Sequence, residues 1–207
     1  MTDNFYNLFN QKDMTAKWDG LKVTFGAPFS GNSFSSLPRS VHDAHKDGFK
    51  KISGCDNSSP FRGERYVKDG DYAVVLLFDK NGYIAGIQAG VKVNGYPFKE
   101  ITPPFTKDGD RYFMTAYFTN PCMHYWYDLH TDSDCHKMFP VFLLYNGGKL
   151  NAFGWAMIAD LKSPRYEHPG QSTFTAFMNE VPTCLRSAPK LSTMHIYLTN
   201  NPALDLC

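Results

Sequence analysis

The chain reads as a mainly β protein with minor α content, an antiparallel sheet or sandwich of about seven to nine strands. Its helices are expected mostly in the N-terminal third. Three observations predict this: period-two runs of β-branched and aromatic residues from Lys68 onward, Gly-containing turns between them, and apolar runs too short for long helices. The 207 residues, 43% hydrophobic and 20% charged, suit one globular domain. Residues 1–66 read as a helix- and loop-rich part packed on a β core of 67–207.

Taken in order, Asn4 to Gln11 has Phe5, Leu8 and Phe9 at helical spacing, and Gly26 to Ser36 has loop composition. A second helix is predicted to start at a Ser35 or Ser36 cap. Pro38 falls in its first turn, Val41, Ala44, His45, Phe49 and Ile52 recur along it, and Gly48 weakens its end.

Lys68-Asp69-Gly70-Asp71 recurs as Lys107-Asp108-Gly109-Asp110, and each copy precedes a strand-like run, Tyr72 to Phe78 and Arg111 to Thr119. Asp79-Lys80-Asn81-Gly82 joins Val74–Phe78 to Tyr83–Val93, and Asn146-Gly147-Gly148 joins Phe139–Tyr145 to Leu150–Ile158. Both read as β-hairpins. An offset of 67 lays Val74–Phe78 on Val141–Tyr145, Ala85 on Ala152 and Ala89 on Ala156. Either an internal duplication or the shared demands of two hairpins accounts for it. In the Pro-rich C-terminal segment, Ser172–Met178 and Thr193–Thr199 alternate as strands do.

Charge gives little direction: 21 Lys and Arg against 20 Asp and Glu leave a net +1, with no field to recruit nucleic acid or an anionic membrane. No apolar run approaches the roughly 20 residues of a spanning helix, so no membrane insertion is expected. Cysteines 55, 122, 135, 184 and 207 form no C-x-x-C pair, which argues against zinc ribbons and redox motifs. At most two internal disulfides form, one of them expected from Cys135 to Cys122 or another cysteine. Cys207 is the natural odd one, available for a covalent dimer or partner. With an Asn57-Ser58-Ser59 glycosylation sequon, the cysteines favour an extracellular, secreted protein over a cytoplasmic one.

Nucleophile-elbow, Walker, dinucleotide and H-E-x-x-H motifs are absent, and Asp79–Gly82 lacks the position-12 Glu of a calcium loop. The densest polar stretch is Cys122 to His136. In an extended chain His124, Trp126, Asp128 and His130 share one face. His124, His130 and His136 are therefore candidate ligands for zinc or copper, although six-residue intervals match no zinc signature. Cys135 and His136, as strand neighbours, would point apart and form no thiol–imidazole dyad. His42 and His45 lie three apart on the predicted helix and read as a solvated face. Glu167-His168-Pro169 and His195 are candidates to converge on this 122–136 cluster through folding, where either could serve as general base.

The aromatic load, 15% of the chain, is the remaining signal. Tyr125, Trp126, Tyr127, Tyr145 and Trp155 are the expected lining of a pocket beside the small residues of the two hairpins. The leading functional expectation is a secreted β-rich protein that binds a small apolar or aromatic ligand there. The alternatives are a metal-dependent enzyme using the 124–136 histidines and an extracellular matrix or interaction module.

Overall fold

The computed structural model describes residues 19–27, 33–54, 61, 63–92, 105–108, 111–117, 125–126, 129–146, 149–188 and 190–204. The predicted helix at Asn4–Gln11, the sequon, Cys55, Cys122, His124, Tyr127 and Cys207 lie outside them.

Among the described residues the strands form two antiparallel six-stranded sheets. Sheet one runs β2 (Phe34–Ser36), β1 (Lys22–Thr24), β12 (Ser192–Tyr197), β11 (Lys149–Met157), β10 (Val141–Asn146), β9 (Tyr125–Trp126). Sheet two runs β3 (Phe49–Ser53), β4 (Glu64–Lys68), β5 (Val75–Phe78), β6 (Ile84–Lys92), β8 (Arg111–Tyr117), β7 (Phe105–Asp108). Nine strands have four residues or more, and β1, β2 and β9 are the short ones. The mainly β, antiparallel class is thus the one the sequence predicts.

The second predicted helix differs in its cap and its extent. Among the described residues of 19–66 there is a single six-residue helix, α1 (Val41–Lys46), and the segment supplies strands to both sheets. Ser40 rather than Ser35 or Ser36 caps α1: its hydroxyl accepts from the Asp43 amide at 3.1 Å and donates to the Asp43 carboxylate. Gly48 then turns the chain at φ +86° and starts β3, so Phe49 and Ile52 belong to a strand and not to a continued helix. A second correction concerns 172–178. Gln171–Ala176 is a 3₁₀ helix, held by the Thr173 amide and hydroxyl donating to the Gly170 carbonyl, and it buries Phe174.

One core lies between the sheets. Leu76, Phe78, Ile87, Ala89 and Val91 from sheet two meet Tyr145, Phe153, Trp155, Met157, Met194 and Ile196 from sheet one. The two predicted hairpins form its walls, and their registers match. In β5–β6 a bulge between Leu77 and Phe78 pairs Leu77 with Gly86 and Phe78 with Ile84. In β10–β11 a bulge between Leu144 and Tyr145 pairs Leu144 with Ala152 and Tyr145 with Leu150. First strands therefore correspond at an offset of 67, but second strands at 66, because the second turn is one residue shorter. Gly86, not Ala85, is the equivalent of Ala152.

The other face of sheet one carries a second apolar cluster. Phe142, Leu144, Ala152, Ala156 and Ile158 pack beneath Phe174, Met178, Leu185 and Leu191. A disulfide between Cys135 and Cys184 ties the 129–138 loop to the 183–186 turn within this cover. Cys135 therefore pairs with neither Cys122 nor His136. No helix among the described residues is long and apolar enough to cross a membrane.

Candidate functional site

The outer face of sheet one carries a line of side chains that crosses all six strands. Register places Trp126 of β9 opposite Phe142 of β10, Phe142 opposite Gly154 of β11, and Gly154 opposite His195 of β12. The line continues into β1, where Thr24 Oγ1 accepts from the His195 amide at 3.2 Å, and ends at Phe34 of β2, opposite Thr24. Side chains directly opposite one another in antiparallel strands share a face, so these residues form one row.

Ring contacts knit the row. Phe142 lies 5.0 Å from Trp126 and 5.1 Å, edge to face, from His195. His195 stacks on Tyr197 at 5.8 Å, and Tyr197 meets Phe34 edge to face at 5.2 Å. The Trp126 indole N–H donates to the Phe177 carbonyl, which fixes one end of the row to the loop cover. Phe142 is buried, whereas Trp126, His195, Tyr197 and Phe34 are only partly so.

A carboxylate joins the row from outside the named strands. Residues 164–168 run beside β12 past the end of β1: the Glu167 amide donates to the Thr193 carbonyl at 2.8 Å and the Thr193 amide to the Glu167 carbonyl at 2.9 Å. Thr193, His195 and Tyr197 alternate to the same face, so pairing at Thr193 brings Glu167 onto that face. Its Oε2 lies 2.8 Å from His195 Nδ1, with side-chain exposures of 25% and 17%. Chemically, the arrangement offers stacking surface and a half-buried imidazole–carboxylate pair. No protein-family model, characterised protein or solved structure matches the chain.

The expected pocket residues separate. Trp155 and Tyr145 are buried between the sheets, while Trp126 packs against the opposite face of sheet one. These three cannot line one pocket. Tyr125 sits in β9 beside Leu143, and Tyr127 is outside the described residues. Of the candidate metal ligands, His124 lies outside the described residues, His130 and His136 are exposed, and His130 Nδ1 lies 3.7 Å from Glu180 Oε2. No group of three His, Cys, Asp or Glu side chains suited to a metal converges among the described residues. His42 and His45 are exposed on α1.

Glu167 and His195 meet each other, a pairing the sequence reading did not make. Phe142, Tyr197 and Phe34 went unmarked in the sequence reading. The alternation of Thr193, His195 and Tyr197 was the signal for Tyr197, while Phe34 sits in a three-residue strand within a stretch of loop composition.

Proposed function

We propose that the protein is a secreted small-molecule-binding β-sandwich whose site is the outer-face row from Trp126 to Phe34. The ligand class is a compact molecule with a flat aromatic or apolar body and one hydrogen-bonding group. The body stacks along His195, Tyr197 and Trp126, and the polar group meets the Glu167–His195 pair. The observation that carries the reading is a run of ring contacts, with partly exposed Trp126, His195, Tyr197 and Phe34 around buried Phe142, beside a carboxylate 2.8 Å from the imidazole, a combination of apolar lining and one placed polar pair typical of ligand sites. The Cys135–Cys184 disulfide supports an oxidising compartment and hence secretion.

Titration with benzamide, phenol and indole analogues, read by tryptophan emission for non-overlapping probes and by calorimetry for the rest, tests the proposal. Saturable binding that weakens at least tenfold in Tyr197→Ser and in His195→Ala supports it. Binding that survives both substitutions, or is lost equally in Tyr83→Ser at an exposed aromatic elsewhere, removes it.

A further inference from the structure

Part of the outer face of sheet one is shut beneath a cover built from two stretches of chain, 129–138 and 171–188. Phe174, Met178 and Leu185 of the cover are buried in one cluster with Phe142, Leu144 and Ala156 of β10 and β11. Neither stretch contributes a strand to the sheets. The second carries two 3₁₀ helices, Gln171–Ala176 and Thr183–Arg186, a form with poorer hydrogen-bond geometry than the α-helix. Apolar packing is non-directional, so the cover can lift from the sheet and reseat without breaking a strand ladder.

The polar contacts that join the two stretches to each other face solvent. The Thr183 amide donates to the Thr131 carbonyl at 2.9 Å, and the Glu180 carboxylate accepts from the Thr131 amide at 3.1 Å and stands 3.7 Å from His130 Nδ1. Thr131, Thr183, Glu180 and His130 are all exposed, where hydrogen bonds and ion pairs compete with water and contribute little. The Cys135–Cys184 disulfide joins the same two stretches covalently. It is therefore the strongest tie between them. Both cysteines are only partly buried, so a dithiol can reach the bond from solvent.

We propose that this disulfide is a redox latch: closed, it holds the cover on sheet one, and its reduction by a dithiol frees the cover and bares the apolar face while both sheets stay folded. One thiolate of the reductant attacks a sulfur of the bond to form a mixed disulfide, and the second thiolate displaces it. The reductant loses two electrons and ends as its own cyclic disulfide, and its two protons end on the Cys135 and Cys184 thiols. The sheets outlast the cover because the core between them is a separate cluster. Trp126 reports the opening, since its indole N–H donates to the Phe177 carbonyl of the cover. The latch does not rest on small-molecule binding by the aromatic row.

The test incubates the full chain with dithiothreitol in the absence of denaturant and follows Cys135 and Cys184 by alkylation and peptide mass spectrometry. Anilinonaphthalene sulfonate is the probe for bared apolar surface. The expected result is reduction at both cysteines with at least a threefold rise in probe emission and at least tenfold faster exchange of the Thr183 amide, while the Phe153 and Trp155 amides of β11 stay within about twofold. Tryptophan emission shifts to the red, and Trp126→Phe abolishes that shift. Oxidised glutathione restores the starting values. The Cys135→Ser/Cys184→Ser variant shows the open-state values without reductant and no response to it, which separates this bond from the other cysteines. A bond that yields only in denaturant overturns the proposal, as does reduction that leaves Thr183 exchange and probe emission unchanged. So does loss of the β-sheet circular dichroism together with the cover.

Discussion

The Phe142 ring lies over Gly154, its partner across β10 and β11, so closely that the two define the floor of the aromatic row. A Cβ on Gly154 would stand 2.3 Å from Phe142 Cζ and 2.4 Å from the Met194 carbonyl oxygen. The ring could swing aside, but the carbonyl belongs to a neighbouring central strand. Gly154→Ala should therefore destabilise the protein by about 2–3 kcal/mol, the usual cost of overpacking a core. Urea unfolding should show a lower midpoint at unchanged slope. Truncating Phe142 in the same chain should not restore stability, because the backbone contact remains; a Gly154→Ala midpoint equal to the parent's would refute this account of the row.

The disulfide makes a different prediction. Cys135 and Cys184 are 49 residues apart, and closing a loop of that length restricts the unfolded chain by about 4 kcal/mol in the loop-entropy treatment. Reduction, or Cys135→Ser with Cys184→Ser, should lower stability on that scale. Hydrogen exchange should accelerate first in 129–138 and 171–188, which cover the outer cluster, and later in β11 and β12. Uniform acceleration across both sheets would contradict the view that the bond pins a cover onto a self-standing sandwich.

Alkaline pH should expose Tyr166. Burial, then the Asp71 carboxylate, raises its pKa well above the ordinary 10.0, with Arg165 opposing. A raised folded-state pKa means that its contribution is fully present below pH 10. It is lost as pH rises further, since the unfolded chain gives up the proton first. In a spectrophotometric titration at least one tyrosine should resist ionisation until the protein unfolds, and Tyr166→Phe should shift the alkaline unfolding midpoint upward. Near neutrality the same substitution removes a buried unpartnered hydroxyl and should leave stability unchanged or raise it by about 1 kcal/mol. An unchanged alkaline midpoint would count against the assignment.

Near pH 4 the Glu64 carboxylate gives the opposite sign. Its pKa is lowered chiefly by the hydrogen bond from Lys51, partly offset by desolvation. A depressed folded-state pKa stabilises above the ordinary carboxylate value and is lost as pH falls through the folded-state one. Both side chains are substantially exposed, so Glu64→Gln should cost no more than about 1 kcal/mol at neutral pH and nothing in acid. Urea midpoints at two pH values check it; a loss that persists in acid would point to packing instead.

The hairpins were legible because their turns state themselves locally: Asp79-Lys80-Asn81-Gly82 stands between alternating apolar runs, and the Asp79 carboxylate accepts from the Asn81 and Tyr83 amides. The extent of α1 was misjudged because Phe49 and Ile52 continue helical spacing by chance while serving a strand, and only the left-handed Gly48 marks the break. Ser172 to Met178 alternates like a strand, yet Phe174 and Met178 turn inward together from a 3₁₀ turn and the residues after it.

The site was legible only in part. Glu167 and His195 are 28 positions apart in sequence. Their meeting depends on the bridge at Thr193, which no local pattern announces. Trp126 and Trp155 look alike in composition, and only the register of β9 to β11 puts them on opposite faces.

The most direct test of the outer-face site is the imidazole nitrogen spectrum of His195, recorded with and without saturating benzamide. The account predicts that ligand shifts the His195 nitrogens and the Tyr197 and Trp126 side-chain signals together, and that Glu167→Gln weakens the effect. Ligand shifts confined to residues away from this row, with the His195 nitrogens unmoved, would contradict it.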